Sequence, residues 1–304
     1  MHVLVTGGAG FIGSHSVDRL LAAGARVRVL DNFSTGRREN LQPHPSLEVM
    51  EGDIRERATV DAALAGISHV LHLAAQVSVA TSMEQPLASA DVNVGGFLNV
   101  LDAVRRHPVK RMVYASSAAV YGVPARLPLH EEDPMLPLSP YGLEKSINDQ
   151  YAALYREIYG QSTLGMRFFN VFGPRQDPAS PYSGVISLFV RHLKEGQPLT
   201  VNGDGLQTRD FIFVADVAAA NLRALQSDVG GECNVATGHS VTLLQMIDAL
   251  GAAAGRKPEI LHGAPRAGDI RHSSADNRRL ATQLGLDHFT SLKDGLAQLW
   301  ASGG

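Results

Sequence analysis

Cysteine is nearly absent from this 304-residue chain, which contains only Cys233. A single thiol excludes an internal disulfide framework and a cysteine-based zinc site, and it is typical of a reducing compartment. An excess of one charge is also missing, because the formal net charge is -3. This balance gives no general attraction to nucleic acid or to anionic membranes. The twelve histidines are scattered without an HExxH or similar pair, so we expect no bound metal.

Long hydrophobic runs and a secretion signal are lacking too. Residues 1–6 have neither a basic segment nor the longer apolar stretch of a signal peptide. The most apolar window, residues 62–80, is interrupted by His69, His72 and Gln76, and its periodicity changes partway. We therefore expect a cytoplasmic protein without a membrane span.

What the chain does contain is an alternation of short apolar runs with longer helical patterns. With 44% hydrophobic and 19% charged residues, it has enough apolar surface to bury a large core. The alternation is typical of βαβ units, so we predict an α/β fold with a Rossmann-type doubly wound parallel sheet. The predicted strands are residues 2–6, 26–30, 69–74, 112–115 and 163–168.

The sequence changes in character after about Phe169, where loops with glycine and proline separate shorter elements. We predict a first domain over residues 1–168 and a smaller α/β C-terminal domain over residues 169–304, which mainly binds the substrate. The segment of about residues 209–236 is expected to return to the first domain.

The helix that follows residue 139 is the longest predicted one. Ser139 is an N-cap candidate, Pro140 suits the first helical position, and the pattern runs to about Gly160. Its apolar residues repeat at helical spacing, which fits either core packing or a subunit interface. This stripe consists of Leu143, Ile147, Tyr151, Leu154 and Ile158. Further helix ends are indicated by Gly24, Thr242, Gln245 and Ser291.

A glycine motif, TGGAGFIG, lies between the first predicted strand and the first predicted helix. Gly7, Gly10 and Gly13 would let the backbone approach a pyrophosphate without a Cβ, while the amides of the helix N-terminus face its charge. Glycine-rich turns are common, but a strand before this one and a helix after it favour a dinucleotide site.

The acidic residue after the second predicted strand bears on which dinucleotide binds. Asp31 can bind the adenosine ribose hydroxyls and would repel a 2′-phosphate. This predicts NAD, although Arg37 and Arg38 in the following loop would suit NADP. Asp53 could contact the adenine or could cap a helix beginning near Arg55, and the two roles are compatible.

Three side chains form a candidate catalytic group. Tyr141 and Lys145 are four residues apart near the start of a helix, so both project from one face, although a surface pair would show the same spacing. An adjacent ammonium and a cationic cofactor ring favour a phenolate, which would let Tyr141 accept a proton from a substrate hydroxyl. Ser116 and Ser117 end a predicted strand, where a hydroxyl can relay that proton; alternatively, they merely start a loop.

Nine short motifs follow one another along nearly the whole chain: TGGAGFIG at residue 6, DN at 31, GDI at 52, HLAA at 72, SSAAVYG at 116, YGLEK at 141, RFFNVFGPR at 167, RDFIFV at 209 and PRAGD at 265. Together they resemble the extended short-chain dehydrogenase/reductase family, and within it the UDP-hexose 4-epimerases. The resemblance implies an NAD-dependent isomerase acting through a 4-keto sugar, with UDP-GlcNAc and UDP-GalNAc as the favoured pair and UDP-Glc and UDP-Gal as a further one. Its product would serve polysaccharide biosynthesis.

The resemblance also implies which residues form the site. Ser117, Tyr141 and Lys145 would be the catalytic triad. The residues implied for NAD are Gly7, Gly10, Phe11, Ile12, Gly13, Asp31, Asn32, Asp53, Ile54, Leu73, Ala74, Ala75, Asn93, Ser116, Tyr141 and Lys145. Those implied for the UDP-sugar are Ser78, Ser117, Asn170, Val185, Arg209, Cys233, Arg266 and Asp269. A homodimer through the helices near residues 93–106 and 141–159 is implied as well.

Cys233 bears on the choice of sugar. By the resemblance, it takes the position of a bulky tyrosine found in enzymes restricted to unsubstituted hexoses. A small residue there would leave room for a 2-acetamido group. Cys233 could also be a buried apolar thiol, which is the usual state of a free cysteine, and the two roles are compatible.

Departures from neighbouring branches of the family narrow the reaction. Ala118 and Ala119 follow Ser117 where the dehydratase branch carries an acidic pair, and decarboxylases place a glutamate near Ala119. Dehydration and decarboxylation are therefore disfavoured. Many epimerases carry a threonine at the Ala119 position, so one hydrogen bond to the substrate is expected to be missing.

Two kinds of alternative function stay open. Among enzymes, the chain could be a UDP-uronate epimerase, a decarboxylase or a reductase. From another class, it could be a catalytically silent NAD-sensing or RNA-associated binding protein.

Overall fold

The computed structural model describes residues 1–177, 184–265 and 270–302. Its strands are β1 (His2–Thr6), β2 (Arg26–Asp31), β3 (Leu47–Glu51), β4 (His69–His72), β5 (Arg111–Ser117), β6 (Thr163–Phe168), β7 (Asn170–Phe172), β8 (Leu199–Asn202), β9 (Thr208–Phe213), β10 (Gly231–Val235), β11 (Ser240–Thr242) and β12 (Ile260–Gly263). Its α-helices are α1 (Phe11–Ala22), α2 (Arg57–Ala63), α3 (Val79–Glu84), α4 (Pro86–Ala90), α5 (Phe97–Arg106), α6 (Pro140–Tyr159), α7 (Val185–Lys194), α8 (Val214–Gln226), α9 (Leu243–Ala254), α10 (Arg278–Leu284) and α11 (Leu292–Ala301). A π-helical segment, Asp91–Gly96, joins α4 to α5.

Seven strands form a fully parallel sheet in the order β10-β6-β5-β4-β1-β2-β3. Every residue of β6 is buried, as expected for a parallel sheet covered on both faces. All five predicted strands are present. β4 ends at His72 rather than at residue 74, whereas β5 extends the prediction in both directions. The predicted α/β fold with a doubly wound sheet is confirmed.

The order of the strands reverses between β1 and β4. From β1 the chain adds β2 and β3 on one side, and it then crosses to β4, β5 and β6 on the other side. Doubly wound sheets bind ligands beyond the carboxyl ends of their strands at such a reversal. Thr6, His72 and Ser117 end β1, β4 and β5, so the residues that follow them meet at this edge.

Helices cover both faces of the sheet. One face is buried beneath α1 and α8, with Val17 and Val217 in its core. The other is buried beneath α2, α5 and α6, with Val60, Leu101 and Ala152 in its core. The helix that begins with the YGLEK motif therefore covers the second face.

A separate hydrophobic core lies in the C-terminal part of the chain. It contains Phe172, Phe189, Met246 and Leu296, beside the three-stranded sheet β11-β9-β7 and the two-stranded sheet β12-β8. β10, however, pairs with β6 at the edge of the large sheet. The division into two domains with a returning segment of about residues 209–236 stays a proposal, since β10 of this segment lies in the large sheet but β9 lies in the three-stranded one.

Capping interactions account for the ends of α6. The Ser139 hydroxyl accepts a hydrogen bond from the Gly142 amide at 3.2 Å, and Gly160 ends the helix with a left-handed φ of 64°. The predicted capping box of Thr242 and Gln245 is present at α9, and Ser291 caps α11.

The apolar stripe of α6 does not face the core. Leu143, Tyr151, Leu154 and Ile158 are exposed, while the side of the helix that carries Lys145 is buried. Core packing, one of the two interpretations of this stripe, is therefore excluded. Despite this apolar face, no helix within residues 1–177, 184–265 and 270–302 is long and apolar enough to cross a membrane.

Candidate active site

The glycine turn after β1 is a cradle that side chains would fill. Gly7 has a φ of 70°, and a Cβ there would lie 2.7 Å from the Ala74 amide nitrogen. A Cβ on Gly13 would lie 2.0 Å from the Gly7 carbonyl oxygen. Gly10 precedes α1 without a side chain that could cap the first amides. Backbone donors at the start of α1, where Phe11 and Ile12 begin the helix, therefore suit a pyrophosphate.

Asp31 lies beside this turn at the end of β2. Its buried carboxylate accepts hydrogen bonds from the Ala9 amide at 2.9 Å and the Phe33 amide at 2.8 Å. The two arginines that would suit NADP are each paired with another carboxylate, Arg37 with Asp177 and Arg38 with Glu51. The charges around Asp31 therefore fit NAD better than NADP.

Asp53 is tied to its neighbours rather than to a helix end. It accepts hydrogen bonds from Arg55 at 2.8 Å and from Asn32 at 2.9 Å, and the bond from Arg55 is the main reason that its pKa is lowered. Because α2 begins at Arg57 with Glu56 at the N-cap, the prediction of a helix capped by Asp53 is wrong. Ile54, the next residue, packs against the backbone of Gly96.

The loop after β4 lies against the glycine turn. The Leu73 amide donates to the Thr6 carbonyl at 3.0 Å, and the Ala74 amide donates to the Thr6 hydroxyl at 3.3 Å. Leu73, Ala74 and Ala75 are half-buried, as is expected of residues that can still reach a ligand. Asn93, which is buried, holds the backbone of the same loop at Gln76.

The predicted triad comes together at the carboxyl end of β5. The Lys145 ammonium donates to the Ala115 carbonyl at 3.0 Å and lies 5.9 Å from the centre of the Tyr141 ring. Ser117 is hydrogen-bonded to Tyr141, and its hydroxyl also accepts a bond from the Ala119 amide at 3.2 Å. Ser116, the preceding residue, is buried within β5.

Burial governs the protonation of this group. It lowers the pKa of Lys145 to about 8, although Asp149 and Glu144 oppose that shift. It raises the pKa of Tyr141, and the hydrogen bond from Ser117 acts in the opposite direction. His72 nearby has its pKa lowered to about 3 by burial and by Lys145, so its imidazole is neutral. In the protein alone, burial therefore keeps the phenol of Tyr141 protonated at neutral pH, and a neighbouring positive charge would favour its ionisation.

Asn170 and Arg209 lie on adjacent strands of the smaller three-stranded sheet, β7 and β9. The Asn170 amide donates to the Asp210 carbonyl at 3.3 Å, and the Arg209 guanidinium donates to the Thr208 carbonyl at 2.8 Å. Both side chains are half-buried, so part of each stays accessible, and their role in substrate binding stays a prediction.

The remaining predicted substrate residues are more scattered. Val185 begins α7, and Ser78 caps α3 by accepting a bond from the Thr81 amide at 3.0 Å. Helix α3 contacts α6, because the Ser82 hydroxyl accepts a bond from the Tyr141 amide at 3.1 Å. Arg266 and Asp269 lie outside the described residues.

Cys233 is a core residue. It lies on β10 with no exposed surface, in the core beneath α1 and α8, and burial raises the pKa of its thiol to about 12. Helix α6, which carries Tyr141 and Lys145, covers the opposite face of the sheet. The structure therefore shows a buried thiol, and the influence of this position on the choice of sugar stays a prediction.

Two groups near the triad were not predicted from the sequence. Glu144 is buried directly before Lys145, and Asp149 is buried one turn after it. The Asp149 carboxylate accepts a hydrogen bond from Arg167 at 3.0 Å and from the Tyr114 hydroxyl at 3.1 Å. The spacing of four residues between Lys145 and Asp149, which places both on one helix face, was a usable signal for the second group.

A glycine cradle, an acidic residue at the end of β2 and a Ser-Tyr-Lys group at the end of β5 define a dinucleotide-dependent enzyme with a Rossmann-type domain. Residues 3–236 match the family described as the NAD dependent epimerase/dehydratase family. The chain belongs to this family, and NAD is its cofactor.

Relatives of known type match over nearly the whole chain. A UDP-glucose 4-epimerase of Mycolicibacterium smegmatis is 39% identical over 98% of this chain and 97% of its own length. Among solved structures, a UDP-N-acetylglucosamine 4-epimerase from Methanobrevibacter ruminantium, in complex with UDP-N-acetylmuramic acid, is 36% identical with a TM-score of 0.93 over 99% of this chain and 97% of that one. The Thermus thermophilus UDP-glucose 4-epimerase complex with NAD is 38% identical with a TM-score of 0.91, over 99% and 98%. The predicted class, an epimerase of the extended short-chain dehydrogenase/reductase type, is confirmed.

Proposed function

We propose that this protein catalyses the C4 epimerisation of UDP-hexoses. The observation that carries the proposal is the meeting of Ser117, Tyr141 and Lys145 at the carboxyl end of β5, at the sheet edge that also bears the glycine cradle. The names of the relatives agree with this reaction. A cytoplasmic location is part of the same proposal.

The side chains have distinct parts in this reaction. Tyr141 takes the proton of the C4 hydroxyl and returns it when C4 is reduced again, and Ser117, which is hydrogen-bonded to Tyr141, holds the reacting oxygen. The Lys145 ammonium, 5.9 Å from the centre of the Tyr141 ring, would favour the phenolate. NAD, when bound, accepts a hydride from C4 and later returns it. The 4-keto sugar turns about its phosphate linkage between the two transfers, so no net oxidation occurs. Loose contacts to the hexose and firm contacts to UDP would permit this turn.

Firm contacts to UDP are assigned to the smaller sheet. Asn170 on β7 would hold the diphosphate or the sugar. Arg209 on β9, together with Arg266 and Asp269, would bind the phosphates and the uridine ribose. The pair UDP-GlcNAc and UDP-GalNAc stays in the proposal together with UDP-Glc and UDP-Gal. Since Cys233 is a core residue, the choice between the two pairs rests on assay.

A direct test compares the parent with Tyr141→Phe and with Tyr159→Phe, which removes an exposed phenol from the same helix. The purified proteins are incubated with UDP-GlcNAc or UDP-Glc without added cofactor, and the products are identified by NMR. We expect C4 epimers from the parent and from Tyr159→Phe. Loss of the proton acceptor should slow Tyr141→Phe by about 100-fold or more.

Two results would contradict the proposal. One is a Tyr141→Phe variant that interconverts either sugar pair as fast as the parent does. The other is a parent that leaves both pairs unchanged but converts a UDP-uronate, or that yields a decarboxylated or reduced sugar, since these outcomes belong to the alternative reactions of the family.

A homodimer is proposed on the exposed stripe of α6. Leu143, Tyr151, Leu154 and Ile158 are each at least 38% exposed, and solvent exposure of an apolar row of this length is unusual for a monomer. A second copy of the same helix would cover it with a matching apolar surface. We refer to these four residues as the α6 stripe.

A further inference from the structure

A buried carboxylate stands directly before the catalytic lysine. Glu144 is 4% exposed, and its Oε2 atom accepts hydrogen bonds from the Ser89 hydroxyl at 2.8 Å and from the Asn93 amide at 2.6 Å. Within the part of the chain that the structure describes, its Oε1 atom is buried without a hydrogen-bond partner. A carboxylate oxygen that is buried without a hydrogen-bond partner costs free energy of folding. A residue kept at this cost is a candidate for a functional role.

The same network reaches the loop that packs on the glycine turn. Asn93 accepts a hydrogen bond from the Gln76 amide at 2.8 Å and donates to the Gln76 carbonyl at 2.8 Å. It lies on the π-helical segment, a type of distortion that is frequent at functional sites. Glu144 thus connects the loop after β4 with the helix that carries Tyr141 and Lys145.

Few charged groups face Tyr141 and Lys145, and Glu144 is one of those that face both. Tyr141 faces Ser117 from β5, and Glu144 and Lys145 from its own helix. Lys145 faces Glu144 and Asp149 from α6, together with the neutral His72 from β4. The groups that contact Glu144 from α4 and the π-helical segment, Ser89 and Asn93, carry no charge.

We propose that Glu144 is a positioning residue for epimerisation, which fastens the catalytic helix to the loop after β4 and keeps a fixed negative charge beside Tyr141 and Lys145. The proposal rests on the proposed function. Burial is the main influence on both groups, since it raises the pKa of Tyr141 and lowers that of Lys145. The negative charge of Glu144 raises the pKa of both, so it moves the working pH range of the pair upward.

The first experiment measures kcat against pH for the parent and Glu144→Gln, with Glu157→Gln as the matched control. Glu157 is an exposed residue of the same helix, so its change removes an equal charge away from the site. Both limbs of the profile should move to lower pH by about half to one unit in Glu144→Gln, and neither should move in Glu157→Gln. Unmoved limbs in a folded Glu144→Gln would overturn the proposal.

Ser89→Ala separates positioning from charge. It removes one hydrogen bond to Glu144 and leaves the carboxylate in place, so we expect kcat to fall about three- to tenfold with both limbs unmoved. A Ser89→Ala profile that shifts as far as that of Glu144→Gln would contradict the assignment of the shift to charge. Should Glu144→Gln fail to fold, an unchanged kcat in Ser89→Ala would overturn the proposal.

An ultraviolet titration gives a readout that needs no sugar. The phenolate signal of Tyr141 is the difference between each protein and the same protein carrying Tyr141→Phe. In Glu144→Gln this signal should develop at lower pH than in the parent, and an identical titration would count against Glu144. If the parent turns over neither sugar pair, the proposed function fails while this titration still decides the role of Glu144.

Discussion

At the residue scale, a buried ion pair lies close to Lys145. The Arg167–Asp149 pair lies beneath Lys145, and its side chains are only 3% and 1% exposed. Burial raises the pKa of Asp149, and the charge of Arg167 opposes that rise. Further donors and acceptors surround the pair, since Arg167 also donates to the Tyr121 hydroxyl at 2.9 Å. A pair enclosed in this way fixes geometry, because neither charge has an alternative partner in solvent.

Asp149→Asn tests this pair. The change leaves a buried guanidinium without its counter-charge, so we expect a loss of about 3–5 kcal/mol in the free energy of unfolding. The measurement is urea denaturation at neutral pH. Asp102→Asn serves as the control, because Asp102 pairs with Arg105 and Arg106 at the surface, where about 0–1 kcal/mol is expected. A loss below about 1 kcal/mol in Asp149→Asn would show that the pair is not needed for stability.

Residues whose chemistry is local could be predicted from the sequence. Tyr141 and Lys145 share a helix, so their spacing alone places them together. Glu144 could not be predicted, because its partners Ser89 and Asn93 are 55 and 51 residues away and no local pattern joins them. The buried thiol of Cys233 agrees with the usual state of a free cysteine, whereas its influence on the choice of sugar was inferred from a family position and stays a prediction.

At the element scale, the turn from β1 into α1 determines whether a dinucleotide can approach. The sequence predicted this turn because glycine spacing, a strand before it and a helix after it are local features. The start of α2 was predicted two residues early, since Asp53 bonds to Arg55 in a turn that resembles a helix cap. The burial of the polar side of α6 could not be predicted from its periodicity, because that side packs against the large sheet although it carries Glu144, Lys145 and Asp149.

Gly13→Ala tests the cradle. The new Cβ would lie 2.0 Å from the Gly7 carbonyl oxygen, so the backbone of the turn must shift. Its N–H groups would then no longer point toward the pyrophosphate. We expect NAD affinity to fall about tenfold or more, measured as NAD released from the purified protein on denaturation. Gly95→Ala is the matched control, because a Cβ there meets its nearest atom at 3.6 Å, an ordinary contact. Equal NAD content in the parent and Gly13→Ala would exclude the cradle as the pyrophosphate site.

At the scale of the whole molecule, the fold brings distant segments to one edge. β1, β4 and β5 are neighbours in the large sheet, so residues 7, 74 and 117 meet although they are far apart in sequence. The alternation of elements predicted this sheet, and its reversal between β1 and β4 explains why the glycine turn and the triad lie at one edge of it. The return of β10 to the large sheet depends on pairing with β6 across more than sixty residues, which no local signal encodes.

Assembly is the remaining question at this scale, and the α6 stripe makes it testable. If a second copy covers the stripe, the parent should sediment at about twice the chain mass of 32.5 kDa. Leu154→Glu with Ile158→Glu places two carboxylates in the proposed interface and should yield monomers at the same concentration, while the buried side of α6 and the bound NAD are retained. Leu261→Glu, which adds a charge at an exposed position of β12, should sediment as the parent does. A parent that sediments as a monomer would contradict the proposed homodimer. A double variant that stays dimeric would show that the α6 stripe is not the subunit interface.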